Sequence, residues 1–207
     1  MNVQNLIQTK NYQLLVKAFT PKVVATHLTF QGGLKLANQL LVTDKATEKT
    51  KEYAVFLLHA ISALYATEWN SSWKHASFLG KAYRIEDEDH DSIFSWYKRA
   101  MEATDSPPPR LLIEMARCCQ KLGYPRLPTI EAIDFLKDAI KEYLYTDAVE
   151  LLCSIYAFRE EPEELRYWKD VYNSIKGTNT LTASIDPEGI QEEIGDSDFT
   201  DPWATSD

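Results

Sequence analysis

The amino-acid sequence predicts an all-α fold followed by an acidic tail. Hydrophobic residues recur at helical spacing through most of residues 1–177, and no stretch shows the alternation that is typical of a β-strand. Within residues 73–177 a helix-turn-helix pattern recurs about every 36 residues. These observations predict about nine helices in one folded domain, residues 1–177, and a separate tail, residues 178–207.

Two helices are predicted at the N-terminus. The first covers residues 3–19, and the second begins after Thr20 with Pro21, a capping residue followed by proline at the first helical position. This second helix runs to about residue 42. Gly32 and Gly33 lie inside it and predict a kink or a break, because two glycines cost roughly 2 kcal/mol of helix propensity relative to alanine.

The third predicted helix, about residues 51–68, is the most apolar segment of the chain. It has little polar face, so we expect it to be buried on most sides. Its apolar run is about 17 residues long, shorter than the roughly 20 residues that cross a bilayer, and no membrane span is predicted. His59 in this helix is predicted to be a hydrogen-bonded core residue rather than a ligand.

Six further helices are predicted within the repeats. A large residue stands beside a small one at the same place in each copy, which allows paired helices to approach closely. These pairs are Leu79 with Gly80, Met115 with Ala116, and Leu152 with Cys153. The six helices cover residues 72–85, 91–104, 109–122, 130–143, 147–159 and 162–176.

The repeat resembles the tetratricopeptide repeat family. The segment WYKRAME at 96–102 and the segment from QKLGYP to EAIDFLKDAI at 120–140 carry most of the resemblance. The resemblance implies antiparallel helix pairs stacked in a right-handed superhelix. It also implies a module that binds other polypeptides, with the first helix of each pair lining a concave groove.

The resemblance places six basic residues in this groove. They are Lys74, Lys81, Arg84, Arg110, Arg117 and Lys121. It adds Ser77, Ile85, Ile113 and Gln120 from the same helices, and Asp147, Glu150, Ser154, Ala157 and Phe158 from the third copy. We expect the groove to bind an acidic peptide or protein surface through charge-assisted hydrogen bonds. The alternative is that these are ordinary solvated helix faces.

The tail differs in composition from the rest of the chain. It holds eight acidic residues and no Lys or Arg, whereas the whole chain has a net charge of −9. This composition predicts disorder. Phe199 and Trp203 are spaced hydrophobes that are typical of a segment folding on binding, and a solubilising tail is the alternative. The tail is also expected to occupy the groove until a partner displaces it.

No catalytic, metal or cofactor site is predicted. The acidic run at 86–91 lacks the glycine and the final glutamate of a calcium loop, and the three cysteines have no metal-ligand spacing. No phosphate-binding loop is present. An acidic tail without interleaved base-stacking aromatics argues against nucleic acid as a partner.

The expected function is therefore non-enzymatic. The sequence predicts a cytoplasmic adaptor or chaperone that binds another protein, an acidic peptide segment or its own tail, since no secretion signal is visible. One alternative is a neutralising protein of the immunity type, which binds and inhibits a toxin or an enzyme. A vesicle-traffic adaptor, for which Asp201-Pro202-Trp203 is the motif, and an enzyme remain further alternatives.

Overall fold

The structure, a computed structural model, describes residues 2–43, 46–86, 90–118, 127–141 and 143–179, with side chains through Lys176. All the regular secondary structure in these ranges is α-helical, so the all-α prediction is confirmed. The described residues form twelve helices. They are α1 (Val3–Gln8), α2 (Tyr12–Ala18), α3 (Pro21–Thr26), α4 (Phe30–Val42), α5 (Glu48–Leu64), α6 (Ala66–Trp69), α7 (Trp73–Glu86), α8 (His90–Glu102), α9 (Pro109–Arg117), α10 (Thr129–Ala139), α11 (Thr146–Phe158) and α12 (Pro162–Asn179).

The structure has three more helices than predicted because each of the first three predicted helices is divided in two. Between α1 and α2, Lys10 adopts a left-handed backbone conformation with φ of 52°. The side chain of Asn11 then accepts a hydrogen bond from the Leu14 N–H and caps α2. Between α5 and α6, Tyr65 leaves the helical region, and its hydroxyl donates to the backbone carbonyl of Leu28.

The predicted kink at Gly32 and Gly33 is wrong, because α4 runs through both residues. The chain breaks before them, at Thr29, whose hydroxyl accepts the Gly32 N–H at 3.1 Å. Gly33 is buried, and a Cβ atom at this position would lie 2.4 Å from Cδ1 of Ile61 on α5. Gly33 therefore permits a close approach of two helices, and packing outweighs its low helix propensity.

Helix α5 begins three residues before its predicted start because Thr47 and Thr50 form a capping box. The Thr50 N–H donates to the Thr47 hydroxyl at 3.3 Å, and the Thr47 N–H donates to the Thr50 hydroxyl at 2.8 Å. Both hydrogen bonds use backbone donors that the first turn of a helix otherwise leaves without partners.

The described chain forms two compact units, one through Thr104 and the other from Asp105. In the first unit α5 is central, because α2, α3, α4, α6 and α7 all pack against it. As predicted, α5 is buried on most sides, and Phe56 and Leu64 lie on its remaining exposed side. Helix α7 packs on α8, where Gly80 lies directly under the fully buried ring of Tyr97.

The second unit consists of two helix pairs, α9 with α10 and α11 with α12, and α10 also packs on α11. The pair α11 and α12 is antiparallel, since Tyr172 near the end of α12 donates a hydrogen bond to Glu150 near the start of α11. Helix α12 extends to Asn179, two residues past the predicted end of the folded domain. The superhelical stacking of tetratricopeptide repeats stays a prediction.

Among the helices in the described part of the chain, none combines the length and the apolar character that a bilayer crossing requires.

Candidate functional site

Three of the predicted basic residues, Lys74, Lys81 and Arg84, lie on α7 in the first unit. All three are half-buried. Two of them lie near aromatic rings: the Lys74 ammonium is 6.0 Å from the ring centre of Trp73, and the Arg84 guanidinium is 5.2 Å from that of Tyr97. Contacts of this kind orient the cation against the ring.

Two other predicted groove residues are not at the surface. Ser77 and Ile113 are both 0 % exposed, so their placement in an open groove is wrong. Helix α7 buries Ala76 through Gly80 without interruption, which means that neighbouring chain covers it on several sides. Ile85 is also partly buried, against the core of the first unit.

In the second unit, Arg110 and Arg117 meet at one carboxylate. Nη1 of Arg110 and Nη2 of Arg117 donate to Oδ2 of Asp147 at 3.0 Å and 2.8 Å. Arg117 also donates to Oε1 of Glu114 at 2.8 Å. We call these four residues the α9–α11 charge cluster. The guanidinium of Arg110 lies 4.9 Å from the ring centre of Tyr145, which fixes its plane.

The α9–α11 charge cluster has two cations and two carboxylates, so its formal charge is zero. The spacing of the sequence correctly places Arg110, Arg117 and Asp147 on a shared surface. The positive charge that was expected of that surface is balanced by the carboxylates of Asp147 and Glu114. Each ion pair is partly exposed, and pairs of this kind contribute about 0.2–1 kcal/mol to stability.

The surface of α11 continues from this cluster. Asp147, Glu150, Ser154, Ala157 and Phe158 follow one another on one side of the helix, and we call them the α11 face. All except Asp147 are exposed, as predicted, and Phe158 is 73 % exposed.

The Lys176 ammonium lies 4.5 Å from the ring centre of Tyr172, and a hydrogen bond to Tyr172 raises the pKa of Lys176.

A second group of side chains in the first unit joins two histidines to aromatic rings. Nε2 of His59 shares a hydrogen bond of 2.7 Å with the Tyr83 hydroxyl, and its ring meets that of Trp96 edge-on at 5.7 Å. Nδ1 of His75 lies 2.9 Å from the carbonyl oxygen of Trp69. His59 is therefore hydrogen-bonded, as predicted, and it is partly buried rather than in the core.

Burial lowers the pKa of both imidazoles below the ordinary histidine value. For His75, the neighbouring ammonium of Lys74 lowers the pKa further, and the hydrogen bond to the Trp69 carbonyl opposes this change. Both rings are thus stabilised in the neutral form, which suits their packing against Trp96 and Phe30.

An open pocket of about 400 Å³ lies beside these rings. Its walls include Trp69, Asn70, Trp96, Arg99 and Glu102. The guanidinium of Arg99 lies 4.7 Å from the ring centre of Trp96. No sequence pattern indicates this pocket, because it is formed by residues from α5, α6, α7 and α8 that no single motif connects.

Four predicted site residues, Gln120, Lys121, Phe199 and Trp203, lie outside the described residues. The remaining basic ones form two groups, one on α7 and one in the α9–α11 charge cluster, and each group belongs to a different unit. Among the residues that the structure describes, no three His, Cys, Asp or Glu side chains are placed to hold a metal ion.

No protein-family model, curated protein or solved structure matches the chain. The resemblance to tetratricopeptide repeats therefore rests on the residues of the sequence alone.

Proposed function

We propose that the chain is a non-enzymatic, cytoplasmic adaptor or chaperone that binds a polypeptide through the α11 face. The observation that supports this proposal is the position of Phe158. Its exposed phenyl ring lies on the same side of α11 as Glu150 and Ser154, and that side leads into the α9–α11 charge cluster.

The α11 face combines an exposed aromatic residue at one end with polar groups along the same side of the helix, and protein interfaces combine aromatic anchors with polar groups in a similar way. Burying a phenylalanine side chain stabilises a complex by about 1.5–3 kcal/mol. Two polar groups farther along the α11 face are already held in place, Glu150 by Tyr172 and Asp147 by two arginines. A partner that binds here therefore loses little free energy to ordering these side chains.

The charge cluster defines which partners fit. A polypeptide carboxylate forms an unopposed ion pair with Arg110 or Arg117 only by replacing Asp147, which already accepts hydrogen bonds from both. A partner with an apolar side chain for Phe158 and mixed polar groups for the cluster needs no such replacement. We therefore favour a mixed, amphipathic segment over the purely acidic peptide that the sequence predicts.

The test is site-specific photocrosslinking in native lysate. The photoreactive residue p-benzoylphenylalanine replaces Phe158 in one full-length chain and Tyr167 in another. Tyr167 is the matched control because it is an exposed aromatic residue of the same unit, on α12 rather than on the α11 face. We expect a discrete crosslinked polypeptide from position 158 and none of that mass from position 167.

Competition then tests specificity. Added unlabelled wild-type chain is expected to suppress the crosslink, while added Phe158→Ala chain is expected to be much less effective. Equal crosslinking at both positions, or equal competition by both chains, contradicts the proposal. If the captured polypeptide is an enzyme that loses its activity at a one-to-one ratio, the neutralising function replaces that of an adaptor.

A further inference from the structure

The pocket of the first unit contains polar groups that the fold does not use. In the part of the chain that the structure describes, the Arg99 guanidinium contacts only the ring of Trp96 and forms no ion pair. The carboxamide of Asn70 and the carboxylate of Glu102 likewise have no side-chain hydrogen bond. A pocket lined by such hydrogen-bond donors and an acceptor can orient a ligand.

The walls of the pocket are held rigidly. Trp69 and Trp96 meet edge-on, with ring centres 6.4 Å apart, and the Trp69 carbonyl is anchored by His75. The ring of Trp96 is held between His59 and Arg99, at 5.7 Å and 4.7 Å. Because these rings are fixed before a ligand arrives, binding orders few side chains and loses little entropy.

The chemistry of the pocket favours an extended peptide segment. Arg99 and Asn70 supply hydrogen-bond donors for a carboxylate or for backbone carbonyls, and Glu102 accepts from a backbone N–H. The indole of Trp96 gives a flat wall against which a proline or aromatic ring packs. A volume of about 400 Å³ lies at the small end of ligand pockets, so only a few residues fit at once.

We propose that this pocket binds the C-terminal tail of the chain at the segment Phe199–Trp203. Asp201 supplies a carboxylate for Arg99, and Pro202 and Trp203 supply rings for the Trp96 wall. The inference extends the proposed polypeptide-binding function from the α11 face to a second site with a defined occupant.

Charge and tethering favour the tail over other peptides. The residues through Thr104 include twelve basic and ten acidic ones, whereas the tail has eight acidic residues and no Lys or Arg. The 28 residues after Asn179 have a root-mean-square span of roughly 30 Å as a free chain. A tethered segment is present at an effective concentration of about millimolar, so even a weak site is occupied.

The experiment follows Trp203 by fluorine NMR in the full-length chain labelled with 5-fluorotryptophan. The chain has five tryptophans, and Trp203→Phe identifies the resonance of Trp203. The reference is the same resonance in a free peptide of residues 196–207. We expect the Trp203 resonance in the full chain to be shifted and broadened relative to the peptide, and excess unlabelled peptide to return it to the peptide position.

Arg99→Glu and Lys98→Glu form a matched pair of variants. Both residues are exposed, both lie on α8, and both substitutions change the charge by the same amount, but only Arg99 lines the pocket. We expect Arg99→Glu to bring the Trp203 resonance to the free-peptide position and Lys98→Glu to leave it shifted.

Either of two results overturns the inference: coincidence of the wild-type resonance with that of the peptide, or the same displacement in Arg99→Glu and Lys98→Glu. The other four tryptophan resonances report whether Arg99→Glu remains folded. Crosslinking from position 158 is a separate measurement on the second unit, so each proposal can fail while the other stands.

Discussion

At the scale of single residues, Gly33 shows how closely α4 and α5 are packed. A methyl group at this position would lie 2.4 Å from Cδ1 and 2.9 Å from Cγ1 of Ile61, which is fully buried. Gly33→Ala gains about 1 kcal/mol of helix propensity, but overpacking a core costs about 1–3 kcal/mol. We expect the free energy of unfolding to fall by about 1 kcal/mol, measured by urea denaturation.

A double-mutant cycle separates this contact from other effects. Ile61→Val removes Cδ1, the atom nearest to the new methyl group. The double variant Gly33→Ala with Ile61→Val is therefore expected to lose less stability than the sum of the two single variants. If the stability losses of the two single variants add exactly in the double variant, the two side chains do not compete for this space.

Asp147 is the second residue whose role can be measured. Asp147→Asn removes the charge that holds Arg110 and Arg117, and we expect it to lower the free energy of unfolding by about 0.5–1 kcal/mol. The loss should shrink at high salt, because partly exposed ion pairs are screened. Asp170→Asn on α12 is the control, since this exposed side chain forms no ion pair with the described residues. Equal losses in both variants contradict this role.

Residue spacing predicts part of the candidate site. It groups Arg110 and Arg117 correctly, because residues seven apart lie on one face of a helix, and the repeat correctly places Asp147 of α11 beside them. It misplaces Ser77 and Ile113, since the burial of a helix face depends on which neighbour covers it. Helical periodicity contains no information about that neighbour when the covering chain is distant in sequence.

At the scale of helices, the capping box of Thr47 and Thr50 determines where α5 begins. Thr47→Ala removes the hydroxyl that accepts the Thr50 N–H, and we expect the free energy of unfolding to fall by about 1 kcal/mol. Thr26→Ala is the control, because the Thr26 hydroxyl donates to a carbonyl within its own helix and caps no helix start. It should change stability by less than about 0.5 kcal/mol.

Two partly buried histidines, His59 and His75, make the first unit sensitive to acid. Because burial lowers the pKa of His59 and His75 in the folded state, the unfolded chain binds more protons below about pH 6.5. Stability is therefore greatest above that pH and falls as the pH drops toward the lowered folded-state values. Urea denaturation at about pH 7.5 and about pH 5.5 measures this loss.

The variant His59→Gln with His75→Gln tests the origin of the acid sensitivity. It has no imidazole at either position, so its stability should fall less between the two pH values than that of the wild type. If the stability of the variant falls as much as that of the wild type, carboxylates elsewhere in the chain cause the acid sensitivity.

Most helices in the described residues follow from the hydrophobic pattern, but their interruptions do not. The left-handed Lys10 and the non-helical Tyr65 lie in segments whose pattern continues without a break. Tyr65 leaves the helix where its hydroxyl bonds to the Leu28 carbonyl, which is a tertiary contact. Helix propensity is a local quantity, and by itself it predicts a kink at Gly33. The close packing that Gly33 permits depends on Ile61, which is distant in sequence.

At the scale of the whole molecule, the helical units and the tail should differ in hydrogen exchange. Amides of α5 lie in the centre of the first unit, and we expect them to be among the slowest to exchange. The sequence predicts that residues after Asn179 form no stable helix, so their amides, apart from those of the pocket-binding segment Phe199–Trp203, should exchange at the earliest time point. Mass spectrometry of peptic fragments measures both, and protection of a long tail segment contradicts the prediction.

The fold class could be predicted for the whole molecule because helical periodicity extends through most of residues 1–177. The arrangement of the helices could not be predicted to the same degree. The repeat predicts the pairs α7 with α8, α9 with α10, and α11 with α12, because partners joined by a short connection pack together. The pocket beside Trp96 draws on four helices, and no local pattern encodes such a meeting.

One carboxylate oxygen of Asp147 accepts hydrogen bonds from both Arg110 and Arg117. This sharing affects how the binding of a ligand depends on ionic strength. An acidic ligand at these arginines exchanges one carboxylate for another and adds no new ion pair. Salt weakens the pair that is lost and the pair that is formed to a similar degree. Such a complex has an affinity that is nearly independent of salt, unlike one at a groove of free cations.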